Sequence, residues 1–147
     1  MQDTTELSPD HAQAIRDSFA AQGLMATLGA RMRHLARGTA RIEAPILPGA
    51  RQQHGYAHAG LTFALGDSAA GYAALTLMPE GSEVLTAEIK INLLAPGAGD
   101  RLIATGRVVK PGRRLVVVTA EVEAERDGAR HLVAILQGTM VPVPPAG

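Results

Sequence analysis

The stretch QQHGYAHAGLTFALGDSAAGYAALTL, residues 52–77, decides how the rest of the chain reads. It opens in a Gly- and His-rich turn, then runs on in Ala, Leu, Gly and Phe, interrupted by one carboxylate, Asp67. A helix that is apolar on every side is a buried one. Its small residues, among them Gly60, Ala64, Gly66, Ala69, Ala70, Gly71, Ala73 and Ala74, permit close approach all round. The run is about long enough for a membrane span of ~20 residues. Asp67 near its middle, the glycines and the amphipathic strands on either side argue instead for a central helix wrapped by a sheet. A buried ionisable group is costly unless paired or neutralised, so Asp67 needs an explanation.

Outward from that helix, the 147-residue chain reads as one domain. Ser8 before Pro9 is an N-cap with proline at the first helical position. It predicts a short helix over about residues 9–21 with Ile15, Phe19 and Ala12 on one side, broken by Gly23. Leu24, Met25 and Leu28 then form an apolar plug over one edge of the core. Two strands follow, over 30–36 and 39–46, turning at Arg37-Gly38. Met32, His34 and Ala36 alternate with Arg31, Arg33 and Leu35, and Ala40, Ile42 and Ala44 alternate with Arg41 and Glu43. Pro45 and Pro48 end that ladder, since proline lacks the donor a central strand needs.

Beyond the helix, Pro79-Glu80-Gly81 is a stop signal. Four strands are predicted over 84–94, 101–110, 115–125 and 131–141, with turns at 96–100, Pro111-Gly112 and Asp127-Gly128. Short turns predict a meander of sequential antiparallel neighbours. The expected architecture is α+β: one long central helix wrapped by a curved antiparallel sheet of about six strands, with a short N-terminal helix. Residues 1–29 are expected to pack on the core, 30–142 to form the domain, and 143–147 to be a loose tail, because VPVPPAG cannot continue a ladder.

Composition narrows the function. Lys+Arg and Asp+Glu balance at 14 each, so no charge footprint for nucleic acid or an anionic membrane is visible. With no Cys there is no disulfide framework, thiol nucleophile or Cys-based metal site. Two Phe, two Tyr and no Trp provide no stacking platform for bases. The polar N-terminus lacks a signal-peptide apolar region, so a soluble cytoplasmic protein is the expectation.

Two groups could carry chemistry. The helix N-terminus around Ala59 and Gly60 offers unpaired N–H groups and a positive dipole end suited to an oxyanion. Asp67 offers a nucleophile or a general base. His58, where the helix begins, and Asp67 lie on roughly opposite faces and ~13 Å apart along the axis. One chain cannot bring both to one reacting carbon. Two antiparallel copies of the helix, packed through their small residues, could place Asp67 of one against Ala59 of the other. The spacing therefore favours a site shared across a homodimer.

The pattern Gln52-x-x-Gly55-x-x-His58-x-Gly60, then Asp67 and Gly71, then Thr86, Asn92 and Pro96, resembles the hotdog-fold acyl-CoA thioesterases of the PaaI-like group, related to 4-hydroxybenzoyl-CoA thioesterase. The resemblance covers about residues 31–141. It implies acyl-CoA hydrolysis to a free acid and coenzyme A, with Asp67 as nucleophile or base for a water and the Ala59 N–H polarising the thioester carbonyl. Gln52 falls where members orient the thioester or the water, and Thr86 where some carry a hydroxyl beside the carboxylate. His58, Gly60, Gly71 and Tyr72 are implied substrate contacts. No metal or redox cofactor is implied, and the implied assembly is a homodimer, which in this family commonly pairs further into a homotetramer. The family's usual His-Gly-Gly is His-Ala-Gly here, and its commoner Asn is Gln52.

Competing readings stand beside these. Asp67 could instead pair with a buried arginine. His54 and His58 lack a third ligand of metal-site spacing, so no metal is expected, and His58 is read as holding its loop by hydrogen bonds. Strict alternation puts Thr86 with Glu88, Lys90 and Asn92 on the polar face, so it reaches Asp67 only if its strand bends or bulges. Lys110, Arg113 and Arg114, and Arg51, form either a cradle for coenzyme A phosphates or ordinary solvated loops. Ala69, Ala70, Ala73 and Ala74 leave room for an aryl, arylacetyl or medium-chain acyl group, with Leu65, Tyr72 and Met78 as walls. The alternatives to catalysis by Asp67 are a non-catalytic acyl-CoA binding or sensing module and a hotdog dehydratase.

Overall fold

The computed structural model describes residues 6–145. Helix α1 (Pro9–Ala20) starts where Ser8 accepts a hydrogen bond from the His11 N–H at 3.1 Å. It buries His11, Ile15 and Phe19. A short α2 (Gly23–Thr27) sets Met25 into the core. Strands β1 (Arg31–Ala36) and β2 (Thr39–Pro45) form a hairpin, and a 3-10 turn (Pro48–Ala50) leads toward the central helix α3 (Ala59–Leu75). Then come β3 (Glu83–Leu93), β4 (Arg101–Lys110), β5 (Val116–Arg126) and β6 (Ala129–Val143). No described helix is long and apolar enough to cross a membrane.

All six strands form one antiparallel sheet in the order β1-β2-β4-β5-β6-β3, with α3 laid across β4 and flanked by β2 and β5. This is the hotdog architecture. The expected four-strand meander is corrected: only β4, β5 and β6 follow one another, while β3 crosses to the far edge and pairs with β6. The physical reason lies in the 94–100 connection. It is no tight turn but a span across the start of α3, pinned by the Ala57 N–H donating to the Gly97 carbonyl at 2.9 Å. Departure of β3 leaves β4 to pair with β2, Thr39 opposite Arg107 through Pro45 opposite Arg101.

Close approach of α3 to the sheet depends on Gly106. A Cβ there would sit 2.3 Å from the Ala69 carbonyl, so only glycine lets β4 backbone meet helix backbone. Ala69, Ala70, Ala73 and Ala74 are fully buried on that face. They do not leave room for a ligand, contrary to expectation, because the sheet occupies the space they open. Leu65 and Met78 are likewise core residues.

Two further readings need revision. In β1 a bulge at Arg33 shifts the alternation, so Met32 and Leu35 pack on the core while His34 is exposed. At the C-terminus, Val141, Pro142 and Val143 do continue β6, opposite Leu85, Val84 and Glu83. Beyond Met140 the strand has lost β5 as a neighbour, and a proline can sit there with its missing donor turned to the open side. Pro144 and Pro145 follow the strand, and the last two tail residues lie outside those described. The Asp127-Gly128 hairpin forms as read, with φ of 51° and 80° joining Arg126 to Ala129.

Candidate active site

The start of α3 is prepared by its own sequence. His58 is the N-cap, extended at φ −60° and ψ 142°, and its Nδ1 accepts from the Gly60 N–H at 2.8 Å. The Leu61 and Thr62 N–H groups reach the His58 carbonyl. Ala59 N–H is left with no partner among the described residues. A single exposed donor therefore stands at the positive end of the helix dipole. Gly60, read as a substrate contact, has its N–H committed to His58, and the imidazole contributes through this cap.

The preceding loop is held rigidly. Arg51 donates from Nη1 to the Gly55 carbonyl and from Nη2 to the Ile46 carbonyl, both at 2.7 Å. Gln52 Oε1 accepts from the N–H groups of His54 and Tyr56, while its Nε2 has no partner among the described residues. Gln52, His58 and Ala59 line one cavity of about 630 Å³ together with Leu93, Pro96 and Val133.

Asp67 belongs to a different cavity. It is half-buried on α3, and Thr86 Oγ1 donates to its Oδ1 at 2.7 Å. The bulge on which this contact depended is present: the β3–β6 register slips between Thr86 and Glu88, where Ala87 is the extra residue. That slip turns Thr86 toward the helix while Ile89 and Ile91 keep their places on the core. The cavity beside Asp67 measures about 180 Å³ and is lined by Ser18, Gln22, Gly71, Tyr72 and Met140 among others. Tyr72 Oη accepts from Gln22 Nε2 at 2.7 Å and lies 3.2 Å from Ser18 Oγ. Ser18 and Gln22 were not singled out from sequence, and no local signal could have found them. They sit 54 and 50 residues from Tyr72.

Neither cavity contains both Ala59 and Asp67, which stand eight positions and ~12 Å apart along α3. Ala59 and Asp67 thus lie in two separate cavities of the chain. Arg113 and Arg114 line a third cavity with Pro79, Ser82 and Pro142, at the opposite end of α3 from Ala59, and Lys110 is exposed at the end of β4. Among the described residues no three His, Cys, Asp or Glu side chains gather as a metal site.

The hotdog fold, with a helix-borne carboxylate and an open helix N-terminus, defines a class that known proteins place further. The thioesterase superfamily matches residues 54–130. A thioesterase family protein from Silicibacter pomeroyi is 46% identical, covering 90% of this chain and 98% of that one, with a TM-score of 0.88. A mutant of the phenylacetic acid degradation protein PaaI from Thermus thermophilus is 31% identical over 82% of this chain and 98% of its own, at a TM-score of 0.70. A protein from Bacillus halodurans, solved with CoA, is 25% identical over 91% of this chain and 84% of its own, at 0.73. The chain belongs to the thioesterase superfamily, as a hotdog-fold, PaaI-like thioester hydrolase.

Proposed function

We propose that the protein hydrolyses an acyl-CoA to the free acid and coenzyme A at a site shared between two copies. The observation that carries this reading is the division of the half-sites: an unpaired Ala59 N–H in one cavity and the Asp67–Thr86 pair in another. Strand β3 supplies the means of joining them. It is an edge strand, bearing exposed Leu85 and Leu93, and an edge offers a ready template for a second chain. Thr86 lies near its start, and Leu93, beside the Ala59 cavity, ends it. Two β3 strands paired antiparallel about their middle carry the Leu93 end of one copy to the Thr86 end of the other. Ala59 and Gln52 of one copy then face Asp67 of its mate.

In that arrangement the Ala59 N–H holds the oxyanion as the tetrahedral intermediate forms, and the Gln52 amide orients the thioester or the water. Asp67 acts as nucleophile or as base for the water, with Thr86 fixing its rotamer. The free acid and the coenzyme A thiolate leave in turn. Water is the only co-reactant this chemistry needs, so we propose no metal or redox cofactor. The same antiparallel pairing turns the 110–114 turn of the second copy toward the Ala59 cavity. Lys110, Arg113 and Arg114 are accordingly our candidates for the coenzyme A phosphates. Arg51, already holding two carbonyls, acts first by keeping the loop in shape. The CoA seen with the Bacillus halodurans relative supports an acyl-CoA substrate.

The test is thiol release across acyl-CoAs from acetyl to palmitoyl, with benzoyl and phenylacetyl included, for the wild type and Asp67→Asn. Turnover that falls by about 10²–10⁴-fold in the variant, the range for a lost acid–base group, supports the reading. Tight acyl-CoA binding with no turnover by the wild type would replace it with a binding module.

A further inference from the structure

An open cavity of about 400 Å³ lies between α1, α2 and the start of β1. Its α1 residues Arg16 and Ala20 stand about 200° around the helix from Ser18, which lines the cavity beside Asp67. Phe19 and Met25 are buried and Met32 is half-buried, and with three alanines they make an apolar floor. Arg16, Arg31 and Arg33, all exposed, make a rim of three guanidinium groups. No carboxylate, hydroxyl or amide side chain lines the space.

The strand order explains why these charges have few partners. β1 is the sheet edge opposite β3, with β2 as its one neighbour, and Arg33 is the extra residue of its bulge. Arg33 Nε lies 3.6 Å from Glu43 Oε2, an oxygen that Arg101 Nη1 already holds at 2.8 Å. Arg16 and Arg31 meet no carboxylate among the described residues. A hollow lined by charge of one sign concentrates counter-ions, and the guanidinium fork matches a carboxylate or phosphate. A small hydrophilic anion would leave the apolar floor wet, and a plain hydrocarbon would leave the charges unmatched. A molecule with both parts answers both. A cavity of about 150 Å³ takes one benzene, so this one suits a head group on an apolar body roughly twice that size.

We propose that this cavity is a binding site for an amphipathic oxyanion, a carboxylate or phosphate head carried on an alkyl body of about ten carbons. The head lies among the guanidinium groups of Arg16, Arg31 and Arg33, and the body covers Phe19, Met25 and Met32. The site is separate from the cavities of Ala59 and Asp67, and the assignment does not depend on the chemistry proposed there.

The experiment is titration calorimetry with decanoate and with decyl phosphate, each kept below the concentration at which it forms micelles. Inorganic phosphate and decyltrimethylammonium are the controls, one lacking the body and the other reversing the charge. The proteins are the wild type, the double variant Arg16→Gln/Arg31→Gln, and Ala26→Trp, which fills the floor without touching the charges. All three replaced residues are exposed, and matching circular dichroism and melting temperature check that the variants fold. In the wild type at least one of the two anionic amphiphiles binds at one site per chain, more weakly as salt is added. The double variant weakens that binding by about tenfold or more, Ala26→Trp does the same, and neither control competes. Which amphiphile binds the tighter tells carboxylate from phosphate. No binding by the wild type, or binding that both variants leave unchanged, overturns the assignment and leaves the arginines as guards of an edge strand. Inorganic phosphate or decyltrimethylammonium binding as tightly as the amphiphilic anions overturns it as well.

Discussion

At the scale of single residues, the exposed backbone donor of Ala59 matters most. It is the first residue of α3, and His58 before it already has the extended backbone that a following proline demands. Proline is favoured at a first helical position because the N–H it lacks is an orphan there. Ala59→Pro therefore deletes the proposed oxyanion donor and little else. Far-UV circular dichroism and melting temperature should match the wild type, while kcat falls by about 10²–10³-fold, as for loss of one oxyanion-hole donor. Unchanged kcat in a folded Ala59→Pro protein would remove the donor from the mechanism. The His-Ala-Gly sequence places a methyl beside this donor, and the N–H has no partner among the described residues all the same.

Among elements, the contact of α3 with β4 holds the half-sites in place. Burial of an alanine face against strand backbone brings the two elements so close that Gly106 has no room for a side chain. Gly106→Ala should force β4 and α3 apart and cost about 1–3 kcal/mol, read as a lower denaturant midpoint at unchanged slope. Gly71→Ala, on α3 itself, meets nothing nearer than 3.9 Å and serves as the control. The two glycines look alike in the sequence. Only Gly106, on β4, stands against backbone, whereas Gly71, on α3, meets a methionine side chain at ordinary contact distance.

For the whole molecule, the proposed shared site requires two copies. Asp67→Asn and Ala59→Pro damage different halves, so each is inactive alone, yet a mixed dimer retains one intact site. Random exchange of equal amounts makes half of the dimers mixed, so activity per chain should recover to about a quarter of wild type. If unfolding and refolding the mixture restores nothing, the site lies within one chain. A second whole-molecule property comes from the ladder of charge across the sheet, in which Glu43 meets Arg33, Arg41 and Arg101, and Glu125 meets Arg101 and Arg130. Hydrogen bonds from Arg130 and then Arg101 hold the Glu125 carboxyl below its ordinary value of 4.5. A depressed folded-state pKa adds stability that is whole above the unfolded value and is lost as pH falls through the folded one. Glu125→Gln should therefore flatten the acid limb of a melting temperature-against-pH curve below about 4.5, and leave the slope between pH 6 and 8 as it was.

The helix with its lone carboxylate, the histidine that starts it and the strands with their buried faces were legible in the chain order. Each rests on local chemistry: a cap, a period, a turn dipeptide. Thr86 was legible only as a condition, since alternation pointed it away from Asp67 and a one-residue bulge at Ala87 turned it back. The tertiary structure alone decided that β3 leaves the meander for β6, that the alanine face of α3 is filled by β4, and that Ser18 and Gln22 close the cavity beside Asp67. Each of these joins groups far apart along the chain. Periodicity tells which face of an element is buried, but which partner covers it is settled by the competition of all faces for one core.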